Sequence, residues 1–380
     1  MKNWKIPLFK MYYDDNDVKN VTSIIKRGMF WGLSSETIEL EKMVSEKIGV
    51  KHCVVFNSGT SALHALMIAY GFKKNNEIIV PSFTFIAVAN APLFVNSTPK
   101  FAEIEEESYG LDPHDTFAKI NKNTKAIIPV HYAGKICKIN EISKIAKEKK
   151  LILIEDAAEA LGSKLNNKMA GSFGDSSVLS FAWNKVITSG EGGAAVTNSK
   201  DIFEKLLLIR SHGRIDKESY FLSTKSPQYV TLGYNWRMSA MTAALAISQL
   251  KKLEKLVKMR IKNANYMTKK LSKYNQIITP LAEKNSIHSY MMYTIRLKQG
   301  KKFRDGLQNY LIKKGIQAKI IFEPIHLSDF YRKKLKYRKG MLPKTDEIAD
   351  QVLTLPMYPH LKRNEMNFMV ESIKEFCEKK

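Results

Sequence analysis

From about residue 50 to residue 200, short apolar and β-branched runs alternate with segments of helical periodicity, and this alternation constrains the fold more than any other feature. The runs are Cys53–Phe56, Glu77–Val80, Lys100–Ile104, Lys125–Val130, Leu151–Glu155, Ser177–Phe181 and Ala194–Thr197. Between them, stretches such as Ser61–Tyr70 and Ile139–Lys149 repeat their apolar side chains at the 3.6-residue spacing of a helix. Parallel strands need a crossover long enough to hold a helix, so the pattern predicts a mostly parallel sheet covered by helices on both faces. The fold class is α/β. Beyond residue 240 the pattern changes: Met241–Leu271 reads as long helix with few breakers, Tyr290–Leu297 and Ala318–Phe322 read as strands, and a closing helix follows Lys362. A chain of 380 residues exceeds the roughly 250–300 that one core supports. Residues 1–250 are therefore expected to form a large domain, with the N-terminal segment free to pack elsewhere, and residues 251–380 a smaller C-terminal α+β domain.

The formal net charge of +24 raises the question of a polyanionic partner. The lysines are scattered in ones and twos, as in Lys73-Lys74, Lys149-Lys150 and Lys269-Lys270, with no arginine-rich arm, zinc-finger spacing or aromatic-basic stripe. A generally solvated surface is expected, not a nucleic-acid partner, with positive potential that helps draw in a diphosphate-bearing substrate. Cys53, Cys137 and Cys377 are an odd number without metal-type spacing, which predicts neither a disulfide framework nor a metal site and suits a reducing cytoplasm. Met1–Asp17 lacks the apolar run of a signal peptide. The most membrane-like stretch, Ile78–Val95, is broken by Pro81 and Pro92 and dotted with Ser82, Thr84 and Asn90, so it reads as a buried strand followed by a helix.

Ligands of open α/β sheets gather at the carboxyl ends of the strands, and three such places carry chemistry. In Phe56–Leu63 a strand runs through Asn57, Ser58, Gly59, Thr60 and Ser61 into a helix; Gly59 permits close backbone approach, and the helix start offers unpaired amides to a phosphate. An ordinary helix N-cap explains the same residues. In Leu151–Glu159 an apolar strand ends in two acids. Asp156 is either a solvated strand terminus or the partner of a protonated ring nitrogen, whose electron-withdrawing power depends on that proton. In Ser180–Gly193, Lys185 is the single charge up to Ser189, ahead of a glycine-rich turn. A lysine taken out of bulk water is more easily deprotonated, as a Schiff-base amine must be, whereas a surface lysine beside a flexible turn is the plainer alternative.

Taken together, these elements resemble the DegT/DnrJ/StrS sugar aminotransferase family of pyridoxal-phosphate (PLP) enzymes with the type I transferase fold. The resemblance runs from Ile6-Pro7-Leu8 to Leu355–Pro359 and includes Asn57–Leu63, Pro81–Phe85, Ile128–His131, Glu155–Ala160, Lys185–Gly193, Arg210–Gly213 and Gly233–Met238. It implies that Lys185 holds the cofactor and moves the substrate proton, and that Asp156 faces the pyridine nitrogen. It further implies that Phe85 stacks on the cofactor face, that Gly59, Thr60 and Ser180 cradle its phosphate, and that Glu159 lies near its phenolic oxygen. Asn235 matches a residue that reaches the phosphate of the neighbouring subunit's cofactor, which makes the expected active unit a homodimer. Trp183 and His326 fall near the family's substrate pocket, although His326 reads equally well as structural. The implied reaction moves an amino group from an amino acid, glutamate in most of the family, to a nucleotide-linked keto sugar. The wording Asn184–Thr188 resembles perosamine-synthase-like members, which aminate carbon four of a GDP-linked 4-keto-6-deoxy sugar. UDP- or dTDP-linked sugars, carbon three and cyclitols stay open, as does a regulator that keeps the fold without turnover. Glu103, where aspartate is common in the family, and a serine in Trp31–Glu36, where glycine is usual just before the first acidic helix, are departures from the pattern.

Overall fold

A computed structural model describes residues 3–215, 224 and 226–378. Its centre is a seven-stranded sheet of β1 (His52–Phe56), β2 (Glu77–Pro81), β3 (Thr98–Ala102), β4 (Thr124–Ile127), β5 (Ile152–Asp156), β6 (Ser176–Ser180) and β7 (Gly193–Thr197). The order across the sheet is β1-β7-β6-β5-β4-β2-β3. The pairs β2·β3, β2·β4, β4·β5 and β5·β6 are parallel, while β7 runs antiparallel to both its neighbours. Every strand except β7 therefore ends on one edge, and β7 begins there at Gly193.

The strand interiors are buried on both faces, as expected of a covered parallel sheet. Leu40, Val55, Ile127, Leu153 and Leu179 pack into one apolar cluster, and Val54, Leu66, Ile78, Ile154 and Val178 into the other. Full burial of such a side chain contributes about 1.5–3 kcal/mol. A third cluster gathers Ile6, Met267, Tyr293, Leu311, Leu355 and Met369 around a three-stranded antiparallel sheet of Ile277–Ile278, Tyr293–Leu297 and Val352–Leu355. Helix Leu253–Leu271 serves two cores: Leu253, Leu256 and Val257 belong to the first cluster, and Ala264, Met267 and Leu271 to the third.

Two expectations are modified. Met241–Leu271 is not continuous, since helix Ala240–Leu250 ends and a second begins at Leu253. No glycine or proline makes the break; Gln249 and Lys252 are instead tied to the N-terminus of helix Asp15–Arg27, with Lys252 Nζ 2.7 Å from both Asp14 and Asp17 carboxylates. Ala318–Phe322 forms a single bridge, Lys319 to Thr354, in place of a ladder. Its carbonyl at Ile321 is taken by the Tyr132 hydroxyl, which draws the chain away from the strand edge. The three cysteines are free and buried. Among the described residues, no helix is long and apolar enough to cross a membrane.

Candidate active site

At the carboxyl edge of the sheet, β1 leads into helix Gly59–Ala69. Ser58 caps it in extended conformation, its Oγ accepting the Ser61 amide at 3.0 Å, and the Asn57 amide donates to the Trp236 carbonyl at 2.9 Å. The helix start is crowded by β6 and β7. A Cβ on Gly193 would stand 2.3 Å from the Gly59 nitrogen, and one on Gly59 would stand 3.3 Å from both the Leu179 carbonyl and the Ser180 Cβ. Glycine at both places lets three chain segments close around the first helical turn, whose amides have no carbonyl one turn earlier to bond. Thr60 is exposed there, and Ser180 stands beside Gly59. The geometry suits a phosphate, which the helix dipole also favours.

Strand alternation sends the two acids at the end of β5 to opposite faces. Glu155 is fully buried and accepts the amides of Gly171, Phe173 and Gly174 at 2.9, 2.6 and 2.7 Å, with His131 Nε2 at 2.9 Å. It fixes the turn before β6. Asp156 is aimed the other way, also buried, with Oδ1 accepting the Ala158 amide at 2.9 Å. One turn on, Glu159 takes the Ala133 amide on Oε2 at 2.8 Å and faces Lys185 Nζ with Oε1 at 3.7 Å. The Lys185 side chain is 15% exposed. Burial pushes the Asp156 and Glu159 carboxyls above their ordinary range, while Lys185 pulls both down. Two buried carboxyl groups thus feel the same lysine, and a protonated ring nitrogen beside Asp156 would complete the charge balance.

The remaining expected residues divide. Phe85 is 57% exposed, with its ring 6.1 Å from that of Phe322, and Trp183 is 55% exposed, edge-on to Phe9 at 6.0 Å. Both present large apolar surface at this edge of the sheet. Asn235 is exposed; the flanking rings of Tyr234 and Trp236 stack at 3.9 Å on one face of the segment, which turns the Asn235 side chain to the other. His326 is not brought to an open surface. It is fully buried, with Nδ1 2.7 Å from Ser82 Oγ and Nε2 3.1 Å from Asp346 Oδ1, so both ring nitrogens face protein groups. Ser82, Asp346, Glu155 and the Ala133 amide were not singled out from sequence, since what marks them is long-range contact.

A profile of the DegT/DnrJ/EryC1/StrS aminotransferase family matches residues 12–374. The chain belongs to this family. It is 32% identical over 372 residues to the GDP-perosamine synthase of Vibrio cholerae, covering 98% of this chain and 99% of the relative. It is likewise 32% identical over 370 residues to the UDP-4-amino-4,6-dideoxy-N-acetyl-beta-L-altrosamine transaminase of Campylobacter jejuni, covering 96% of each. Among solved structures it superposes on Helicobacter pylori PseC, an aminotransferase involved in the biosynthesis of pseudoaminic acid. The TM-score is 0.92 and the identity 30%, over 99% of this chain and 100% of that one. As a DegT/DnrJ/EryC1/StrS member, the chain is a PLP-dependent aminotransferase with the fold of these enzymes.

When bound, the cofactor supplies an electron-withdrawing ring that stabilises negative charge at the substrate carbon. The residues present fit it: the glycine-lined helix start suits its phosphate, the buried Asp156 carboxylate its ring N–H, and the exposed Phe85 ring its face. Lys185 would hold it, with Nζ 3.7 Å from Glu159 Oε1.

Proposed function

We propose that this chain transfers an amino group from L-glutamate to a nucleotide-linked keto sugar, with a 4-keto-6-deoxy hexose carried by GDP as the favoured acceptor. The observation that carries this reading is the Lys185–Glu159–Asp156 arrangement at the carboxyl edge of the sheet, where one amine faces the buried Glu159 carboxyl and acts electrostatically on the buried Asp156. Lys185 holds the cofactor and moves the proton at the substrate carbon through its Nζ. Asp156 keeps the ring nitrogen protonated. Gly59, Thr60 and Ser180 bind the phosphate, Phe85 stacks on the ring, Glu159 lies by the phenolic oxygen, and Trp183 borders the sugar. The GDP preference is supported by similarity to the perosamine synthases of Vibrio cholerae and Escherichia coli O157:H7, each 32% identical. A UDP-linked sugar is the second reading, because the Campylobacter jejuni relative with UDP in its name is equally similar at 32%.

The working unit in this proposal is a homodimer, with Asn235 lent to the neighbouring subunit's cofactor phosphate. Phe30, Trp31 and Leu232 are exposed large apolar residues that a second copy would cover. The proposed domain division lies near residue 250, just before the helix shared between two cores. The test is to incubate the enzyme with glutamate and a panel of GDP-, UDP- and dTDP-linked 4-keto and 3-keto sugars while following 2-oxoglutarate release. Release with the GDP-linked 4-keto sugar at the highest kcat/KM supports the reading, and no release with any member of the panel overturns it.

A further inference from the structure

Two turns that carry aromatic rings at the site are joined behind it by a buried polar chain. Ser82 follows β2 directly and stands three residues before Phe85; His326 stands four residues after Phe322. The Ser82 carbonyl accepts the Ile325 amide at 2.9 Å, and Ser82 Oγ accepts the His326 amide at 3.0 Å while lying 2.7 Å from His326 Nδ1. A hydroxyl has one hydrogen. Its oxygen takes the amide on one lone pair, and the tautomer of the imidazole decides which of Ser82 Oγ and His326 Nδ1 donates across the second contact. Nε2 faces Asp346 Oδ1 at 3.1 Å, an approach too oblique for a well-formed hydrogen bond, and Asp346 Oδ2 accepts the Gly340 amide at 2.7 Å. Glu103 is the other acid that acts on His326, and it is itself engaged, capping helix Pro343–Gln351 through the Lys344 and Thr345 amides.

A serine, histidine and aspartate in line suggest a nucleophile, but Ser82 and His326 have no exposed surface and no substrate can reach the hydroxyl. The geometry is that of a fastening. We infer that Ser82, His326 and Asp346 form a positioning relay that sets the Phe85 ring against the cofactor face and fixes its separation from Phe322. His326 is thereby a positioning residue instead of a substrate contact. The relay couples the segment after β2 to the Phe322–His326 turn, and Asp346 backs that turn from helix Pro343–Gln351, so the two sides of the aromatic opening move together. This inference rests on the proposed stacking role of Phe85, and its test separates the two.

The experiment uses holoenzyme and reads the visible circular dichroism of the bound cofactor together with its rate of release. Phe85→Leu tests the stacking role, Ser82→Ala tests the relay, and Asn263→Ala is the control. The Asn263 amide bonds the Tyr358 and Pro359 carbonyls away from these turns, so its loss costs buried hydrogen bonds of the same kind. The relay predicts that Ser82→Ala, which takes the Oγ partner from both the His326 amide and Nδ1, weakens the dichroic band and speeds cofactor release about tenfold. Asn263→Ala should lower the melting temperature without either change. His326→Asn, which keeps a hydrogen-bonding side chain for the Ser82 hydroxyl but withdraws from Asp346, should show a smaller effect and replaces Ser82→Ala if that variant does not fold. If Phe85→Leu alters both signals and Ser82→Ala and His326→Asn alter neither beyond the control, the relay is overturned and the stacking role stands. If Phe85→Leu alters neither signal, the stacking role falls and the relay's function falls with it.

Discussion

Lys185 Nζ stands 3.7 Å from Glu159 Oε1, while the other oxygen of the same carboxylate is held by the Ala133 amide at 2.8 Å. The acid is thus oriented by the backbone before the lysine meets it. In Glu159→Gln the amide oxygen can still accept from Ala133, but an NH2 group then confronts the lysine. We predict that the variant binds cofactor and loses about 10²-fold in kcat, the lower end of what a positioned proton-transfer group contributes. Steady-state kinetics within twofold of wild type would show that Lys185 does not depend on this carboxylate.

Burial holds the Asp156 and Glu159 carboxyls above their ordinary values of 3.8 and 4.5. Between the ordinary and the raised value the folded protein binds more protons than the unfolded chain, so stability falls as pH rises through that window. Below the ordinary values both states are protonated and the effect is absent. Asp156→Asn is therefore expected to raise the melting temperature of cofactor-free protein at pH 7 and to leave it unchanged near pH 3.5. Equal shifts at both pH values would contradict the sign.

Gly193→Ala places a methyl group 2.3 Å from the Gly59 nitrogen. Backbone must shift to admit it, at a cost of about 1–3 kcal/mol. Urea unfolding should register that loss, and the displaced helix start should bind inorganic phosphate and the cofactor more weakly. Unchanged stability and affinity would remove the glycine-lined cradle from the account.

Trp183 is exposed beside the lysine and rests edge-on against Phe9. Trp183→Ala is expected to raise KM for the sugar about tenfold, as loss of one aromatic contact does, while the half-reaction with glutamate keeps its rate. A defect confined to the glutamate half-reaction would place the indole elsewhere.

Much of this was legible in the sequence. Runs buried on both faces are written as continuous apolar segments, and the expected Leu151–Glu155 and Ser177–Phe181 differ by one residue at each end from β5 and β6. Alternation sends only one of two adjacent acids to each face of the sheet, and it was the resemblance that pointed to Asp156 and not Glu155. The antiparallel direction of β7 was not read, although the short link Phe181–Gly192 contains no helix to carry a parallel crossover. The break at Lys251–Lys252 carries no local signal, because Asp14 and Asp17 that hold it lie 238 and 235 residues away. The role of His326 was illegible for the same reason: its Ser82 partner is 244 residues distant, and a lone histidine in sequence looks alike whether it faces a sugar or seals a core.

The central claim is that one particular amine holds the cofactor. Borohydride reduction of the holoenzyme, followed by proteolysis and mass mapping, reads this directly. The account predicts cofactor-derived mass on the peptide that contains Lys185 and on no other lysine. Label on a different lysine, or an unlabelled Lys185 peptide from enzyme that carries cofactor, would contradict it.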